Sequence, residues 1–339
     1  MTGTTFELTE HWRRWIAENH LLGTNPETIL DVLERQGLPR QAACELLSTV
    51  QLDGNLVPAG WMVQRLRKLE SLLGAQQRVR SLDPEYSRVP RCAGLTRQQF
   101  LERHYAANRP VVLSDVADRW PARDRWTAQY LTAQVGAELV EVMTGRERDG
   151  RYEEHLDMHR TQMLFADYVA NVEAAGPTND FYLVANNRFF ERPAAAPLLA
   201  DLEFDERFLD KAASPRQVFF WYGPAGTVTP LHHDTSNVLL TQVRGRKRVT
   251  LVPALESHRM YNDVAVYSPV DPEAPDLERF PLYSEATAMT VTLEAGEALL
   301  IPVGWWHHVR SLDTSISVSF TAFCFPNFFE WNFPKIERW

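Results

Sequence analysis

From Glu7 to about Gln77, apolar residues recur at spacings of three and four: Trp12, Trp15 and Ile16, then Ile29, Val32 and Leu33, then Ala43, Leu46 and Leu47, then Met62, Leu66 and Leu69. That period brings each group onto one side of a helix. The punctuation agrees. Asn25-Pro26-Glu27 offers a cap with proline in the first turn, and Gly37-Leu38-Pro39 closes one helix and opens another. The pattern predicts a small helical accessory domain over residues 1–85, and nothing in it suggests catalytic chemistry. His11 and His20 read as surface or packing residues.

Ser81 to Gly94, with its prolines and arginines, reads as a linker into a second domain, 86–339. Leu95 to Asn108 and Trp126 to Val135 carry helical spacing, Pro110 to Leu113 reads as a short buried strand, and Glu138 to Thr144 alternates as a strand. After Gln217 the character changes to many short strands. Val218–Tyr222, Val238–Val243, Arg246–Val252, Ala288–Leu293, Ala298–Ile301 and Ser315–Phe323 are short strand patterns separated by Gly, Pro, Asn and Asp. This spacing predicts an all-β sandwich or barrel over about 215–325. The fold class expected is mainly β with α additions.

Charge narrows the partners. A net charge of −9 argues against general affinity for nucleic-acid phosphate or anionic lipid, and Arg244-Gly245-Arg246-Lys247-Arg248 is the basic cluster of note. Cys44, Cys92 and Cys324 are too few and too scattered for a zinc motif or a disulfide framework, which suits a reducing compartment. Met1 to Trp15 lacks the basic start and apolar run of a secretion signal, and no apolar run reaches membrane-spanning length. A cytoplasmic protein is expected.

The chemistry concentrates at Thr229-Pro230-Leu231-His232-His233-Asp234 and at Ile301-Pro302-Val303-Gly304-Trp305-Trp306-His307-His308. On a strand, His232 and Asp234 share a face while His233 points to the other, so His232 and Asp234 can grip one ion. A histidine of the downstream doublet would supply the third ligand. Two imidazoles and one carboxylate on one side of a metal leave positions open opposite, as a mononuclear non-haem Fe(II) centre requires. Lys247 lies on the apolar face of its strand with Val249 and Leu251. A buried ammonium needs an anion, and a dicarboxylate cosubstrate or an internal Asp or Glu would serve. His155 and His159 stand one helical turn apart beside Glu154 and Asp157 with no third ligand in sight, and read as a solvated charged segment. There is no phosphate-binding loop, nucleophile elbow or His-Glu-x-x-His helix, so hydrolytic and nucleotide-driven chemistries lose their usual supports.

Gly226 to Asn237, Gln242 to Arg248 and Ile301 to Val309 together resemble the cupin-like JmjC hydroxylases of the Fe(II) and 2-oxoglutarate oxygenase superfamily, over roughly Leu95 to Phe325. The resemblance implies a double-stranded β-helix, or jelly roll. It implies Fe(II) held by His232, Asp234 and His307, and 2-oxoglutarate held through its distal carboxylate by Lys247 with help from Thr229. Tyr182 matches a tyrosine that contacts the same carboxylate in the asparaginyl hydroxylases of the group. Asn237 lies one residue before an asparagine that lines their site, and Ser319 stands where they carry a second asparagine. The chain reaches Trp339 without an obvious pair of long C-terminal dimerising helices. The oligomeric state therefore stays open, with a homodimer among the options, and the N-terminal unit is expected to recruit substrate or mediate self-association.

The leading expectation is an oxygenase that uses dioxygen to hydroxylate an amino-acid side chain in a peptide or protein. Alternatives are a hydroxylase of a free amino acid or small natural product, an N-methyl-lysine demethylase, a metal-dependent cupin without 2-oxoglutarate, and a non-catalytic ligand-binding cupin. Trp221, Tyr222, Trp305 and Trp306 are candidates for either the pocket wall or the core.

Overall fold

The computed structural model describes residues 10–331 apart from 154, 186–187, 214 and 263–264; Glu7, Glu154 and Trp339, named above, lie outside the described residues. The chain divides into two compact units, Met1–Arg78 and Val79–Trp339.

The first unit holds helices α1 (Glu10–Leu21), α2 (Pro26–Arg35), α3 (Arg40–Gln51) and most of α4 (Leu56–Arg80). Asn25 caps α2 by accepting from the Glu27 N–H, and Pro26 fills the first turn, where a missing N–H costs nothing. Ile16, Ile29, Leu30, Leu33, Ala43 and Leu47 form its core, all from α1, α2 and α3. Met62, Leu66 and Leu69 have the helical period but remain exposed on α4.

The second unit is β-rich. Its strands are β1 (Arg91–Cys92), β2 (Val111–Leu113), β3 (Leu139–Met143), β4 (Arg160–Leu164), β5 (Val218–Gly223), β6 (Val228–His233), β7 (Val238–Arg244), β8 (Lys247–Val252), β9 (Met289–Leu293), β10 (Ala298–Ile301), β11 (Trp306–Ser311) and β12 (Ser315–Phe320). One sheet has the order β1-β2-β10-β7-β12-β5 and the other β6-β11-β8-β9. Leu240, Leu299 and Ile301 from the first meet Val249, Leu251, Val291 and Val309 from the second in a shared apolar cluster, so the sheets pack face to face as a jelly roll. β3 and β4 form a separate antiparallel ribbon.

Several elements differ from their sequence patterns. The first helical stretch runs over 97–105, opened by a Thr96/Gln99 capping box and finished by a π-helical turn. The last strand stops at Phe320. β4 and the helix Phe165–Ala174 have no counterpart in the sequence reading. β6 and β11 carry the two histidine doublets near their ends. Pro230 hides β6, because proline inside an apolar-polar alternation normally argues against a strand.

Candidate metal and cosubstrate site

β6 and β11 are antiparallel neighbours, and His307 lies directly across from His232. Their ring centroids are 4.0 Å apart. Asp234 follows the end of β6 and brings its Oδ2 to 3.5 Å from His307 Nε2. Ligating atoms of His232, Asp234 and His307 all lie within 4.8 Å of one another. Both imidazoles are aimed by the backbone: His232 Nδ1 bonds the Pro230 carbonyl at 2.7 Å and His307 Nδ1 bonds the Trp305 carbonyl at 3.0 Å. Each Nδ1 therefore carries the proton, and each Nε2 keeps its lone pair for an ion. Burial, reinforced by His232, pushes the His307 imidazole down to about 3, so it is neutral at physiological pH.

The carbonyl that aims His232 is free for a structural reason. Between His307 and Val309 the pairing with β6 slips, so that Val309 opposes Thr229. Pro230 sits in this bulge, where a residue without an N–H and a carbonyl outside the regular ladder are tolerated. The next turn is fixed as firmly. Gly304, at φ 78°, donates its N–H to the Asp234 carbonyl at 3.0 Å.

The two doublets resolve by strand alternation. His233 turns away and packs between Trp306 and Trp331, at 4.8 and 4.9 Å between centroids. His308 turns to the opposite face of β11, near Asp271 and Glu273. That trio also converges, but Glu273 is held by Arg248 and Arg310, and a cation there would compete with two guanidinium groups.

The triad opens into a cavity of about 330 Å³ that also takes in Lys247, Tyr182, Thr229, Trp221 and Ser319. Lys247 is 1% exposed; its Nζ donates to Tyr182 Oη at 3.0 Å and sits over the Tyr182 and Trp221 rings. No carboxylate among the described residues pairs with it. A phenol and two ring faces offset only part of the several kcal/mol that burying an ammonium costs. The site thus presents a fixed positive charge with room for an anion. The Tyr182 ring depends on Gly223, where a Cβ would come within 2.7 Å of it. Ser319 Oγ accepts from Trp221 Nε1 at 2.9 Å, which fixes that wall.

The structure brings seven of the eight sequence-derived site residues to this cavity; Asn237 is elsewhere. Its side chain accepts from the Val303 N–H at 2.9 Å and donates to Asn327 Oδ1 at 2.9 Å, tying the Pro302–Gly304 turn to the C-terminal segment. Of the four aromatic candidates, Trp221 lines the cavity. Tyr222 bonds Glu173, Trp305 bonds Asn108 and Trp306 bonds Ser257, all as packing residues. His155 and His159 share the Asp149 carboxylate at 2.7 and 3.0 Å.

Sequence reasoning missed part of the cavity lining. Tyr267 pairs with His232 as an isolated bridge, its ring 5.9 Å from the imidazole, and with Glu153 and Glu141 it lines the cavity. Glu153 and Tyr267 come from the β3–β4 connection and the long connection after β8, which carry no period to read, while the alternation around Glu141 on β3 gives a strand but not its place at the cavity. A neighbouring cavity of about 430 Å³ shares Glu153 and Tyr267 but contains no member of the triad.

A family model described as a cupin-like domain matches residues 97–321. Among curated proteins, lysine-specific demethylase 8 of Xenopus tropicalis is 31% identical over 246 residues, which is 70% of this chain and 53% of that protein. The human bifunctional peptidase and (3S)-lysyl hydroxylase JMJD7 is 30% identical over 63% of this chain and 77% of its own length. Human tRNA wybutosine-synthesizing protein 5 is 27% identical over 68% of this chain and 76% of its own. The chain spans about half the length of the demethylase relatives from Xenopus and Arabidopsis thaliana.

Proposed function

Since the chain belongs to the family of cupin-like JmjC domains, we propose that it is an Fe(II)- and 2-oxoglutarate-dependent oxygenase that hydroxylates an amino-acid side chain in a peptide or protein. The observation that carries this reading is the pairing, in one cavity, of an open-faced His232–Asp234–His307 set with a buried ammonium, Lys247, that lacks a carboxylate partner among the described residues. A non-catalytic cupin has no use for both.

His232, Asp234 and His307 would hold Fe(II), and Lys247 with the Tyr182 hydroxyl would hold the distal carboxylate of 2-oxoglutarate. When bound, these groups supply the oxidising power: dioxygen is divided between succinate, formed with release of carbon dioxide, and the hydroxyl delivered to a substrate C–H bond. The protein's own part is to orient and to exclude water. The Pro230 and Trp305 carbonyls keep both Nε2 atoms aimed at one point. Trp221, held by Ser319, closes one wall, and Tyr267 covers His232 from another. Glu141 and Glu153 line the cavity paired with Arg160 and Arg146, at 3.7 and 3.5 Å.

The test is turnover of 2-oxoglutarate to succinate with Fe(II) and candidate peptides, read together with a mass gain of one oxygen. Succinate formation independent of both His232 and Lys247 would defeat the assignment. N-methyl-lysine demethylation proceeds through the same hydroxylation, and the name of the Xenopus relative, a lysine-specific demethylase, favours it as a second reading. Formaldehyde release from methylated peptides separates the two.

A further inference from the structure

Helix α4 (Leu56–Arg80) is long and carries exposed apolar residues that have no partner in the apolar core of its own unit among the described residues. Ala59, Met62, Leu66, Leu69 and Leu73 follow alternating steps of three and four, the seam of a coiled coil with Ala59, Leu66 and Leu73 at one core position and Met62 and Leu69 at the other. Met62, Leu66 and Leu69 are 68%, 57% and 52% exposed. Arg67, about a third of a turn round from the seam, donates to the Leu22 carbonyl at 2.5 Å beside Gly23, so the side turned to its own domain lies next to the seam, with Ala59 partly buried between the two.

Flanking charges choose the occupant. Arg65 precedes Leu66 and Glu70 follows Leu69, five residues apart on the two edges of the seam. In a parallel pair of identical helices, a residue at the first edge faces the residue five positions later on the other chain, so Arg65 of each copy meets Glu70 of its partner twice over. An antiparallel pair would instead set Arg65 against Leu72 and Glu70 against Val63. The seam is thus complementary to itself in one orientation. We infer that α4 is a self-association helix, and that two copies of the chain join in parallel through Met62, Leu66, Leu69 and Leu73, with register fixed by Arg65–Glu70 pairs.

Light scattering of the eluted full-length chain is expected to give twice the mass of one chain, and Leu66→Glu with Leu69→Glu to give the mass of one, with helical circular dichroism retained because both sites are exposed. Arg65→Glu alone and Glu70→Arg alone should each weaken the dimer about tenfold by placing like charges opposite one another, and the combined exchange Arg65→Glu/Glu70→Arg should restore it. A wild-type chain of single mass at all concentrations would overturn the inference, pointing to another segment of the same chain as the cover. A dimer indifferent to the leucine changes, or one that the combined exchange fails to restore, would overturn it as well.

Discussion

The two faces of the sheet β6-β11-β8-β9 are built from alternate residues of the same strands, yet they treat charge in opposite ways. On the outer face Arg248 and Arg310 both bond Glu273, and His308 lies beside them, its imidazole held below its ordinary range by burial despite Glu273 and Asp271 nearby. On the inner face, one residue away, Lys247 has a phenol, and His232 and His307 direct bare Nε2 atoms into a cavity. The outer face is compensated within the protein; the inner one is completed by what binds. Alternation on a strand is thus enough to separate a structural set from a functional one.

Removing a ligand on the inner face should break this contrast most sharply. His232→Ala or His307→Ala is expected to lower Fe(II) affinity and succinate formation by more than about 100-fold, beyond the loss typical of changes one shell further out, as read by metal titration and turnover. His308→Ala should leave turnover within a few-fold of wild type.

Next comes Lys247. Lys247→Met should raise the KM for 2-oxoglutarate by roughly 30-fold or more, the effect of truncating one partner of a buried charge pair. In the same variant the metal-free protein should melt no lower than wild type, because an ammonium with no carboxylate partner is replaced by an apolar side chain. A large fall in Tm would mean that Lys247 is compensated after all.

The outer face should respond the other way round. Glu273→Gln leaves Arg248 and Arg310 facing each other without their shared carboxylate, and a loss of about 2–3 kcal/mol in unfolding free energy is expected, with little change in turnover.

The smallest effect is one of pH. Burial raises the Glu273 carboxyl, but Arg310 and Arg248 more than reverse this and hold it below its ordinary range. Its contribution is complete above about pH 4.3, the ordinary glutamate value, and is lost as pH falls through the lowered folded value. The protection of the β8 and β11 amides relative to their intrinsic exchange rates should therefore fall on acidification in wild type, and less so in Glu273→Gln.

Much of this was legible in the sequence because the signals were local. Short runs rich in apolar residues between turn residues located β5, β7, β8, β9 and β10, and alternation alone separated His232 from His233. The choice between His307 and His308 needed the cross-strand register, which composition does not encode. Asn237 shows the limit of matching positions. A side chain that the resemblance alone sets one residue from a site position is drawn into a network with Asn327 and Val303, and Asn237→Ala should cost about 1–3 kcal/mol in stability while leaving the KM for 2-oxoglutarate unchanged. Tyr267 and Glu153 reach the cavity from irregular connections, where only three-dimensional packing decides what lies near what.

The slipped pairing at Pro230 has a kinetic corollary. Since the carbonyl that clamps the His232 ring is put in place as the barrel forms, the rings give up their rotational freedom during folding and not on arrival of an ion. Loading then becomes docking into a ready-made claw, with a single exponential phase whose rate rises in proportion to metal concentration and no slower rearrangement behind it.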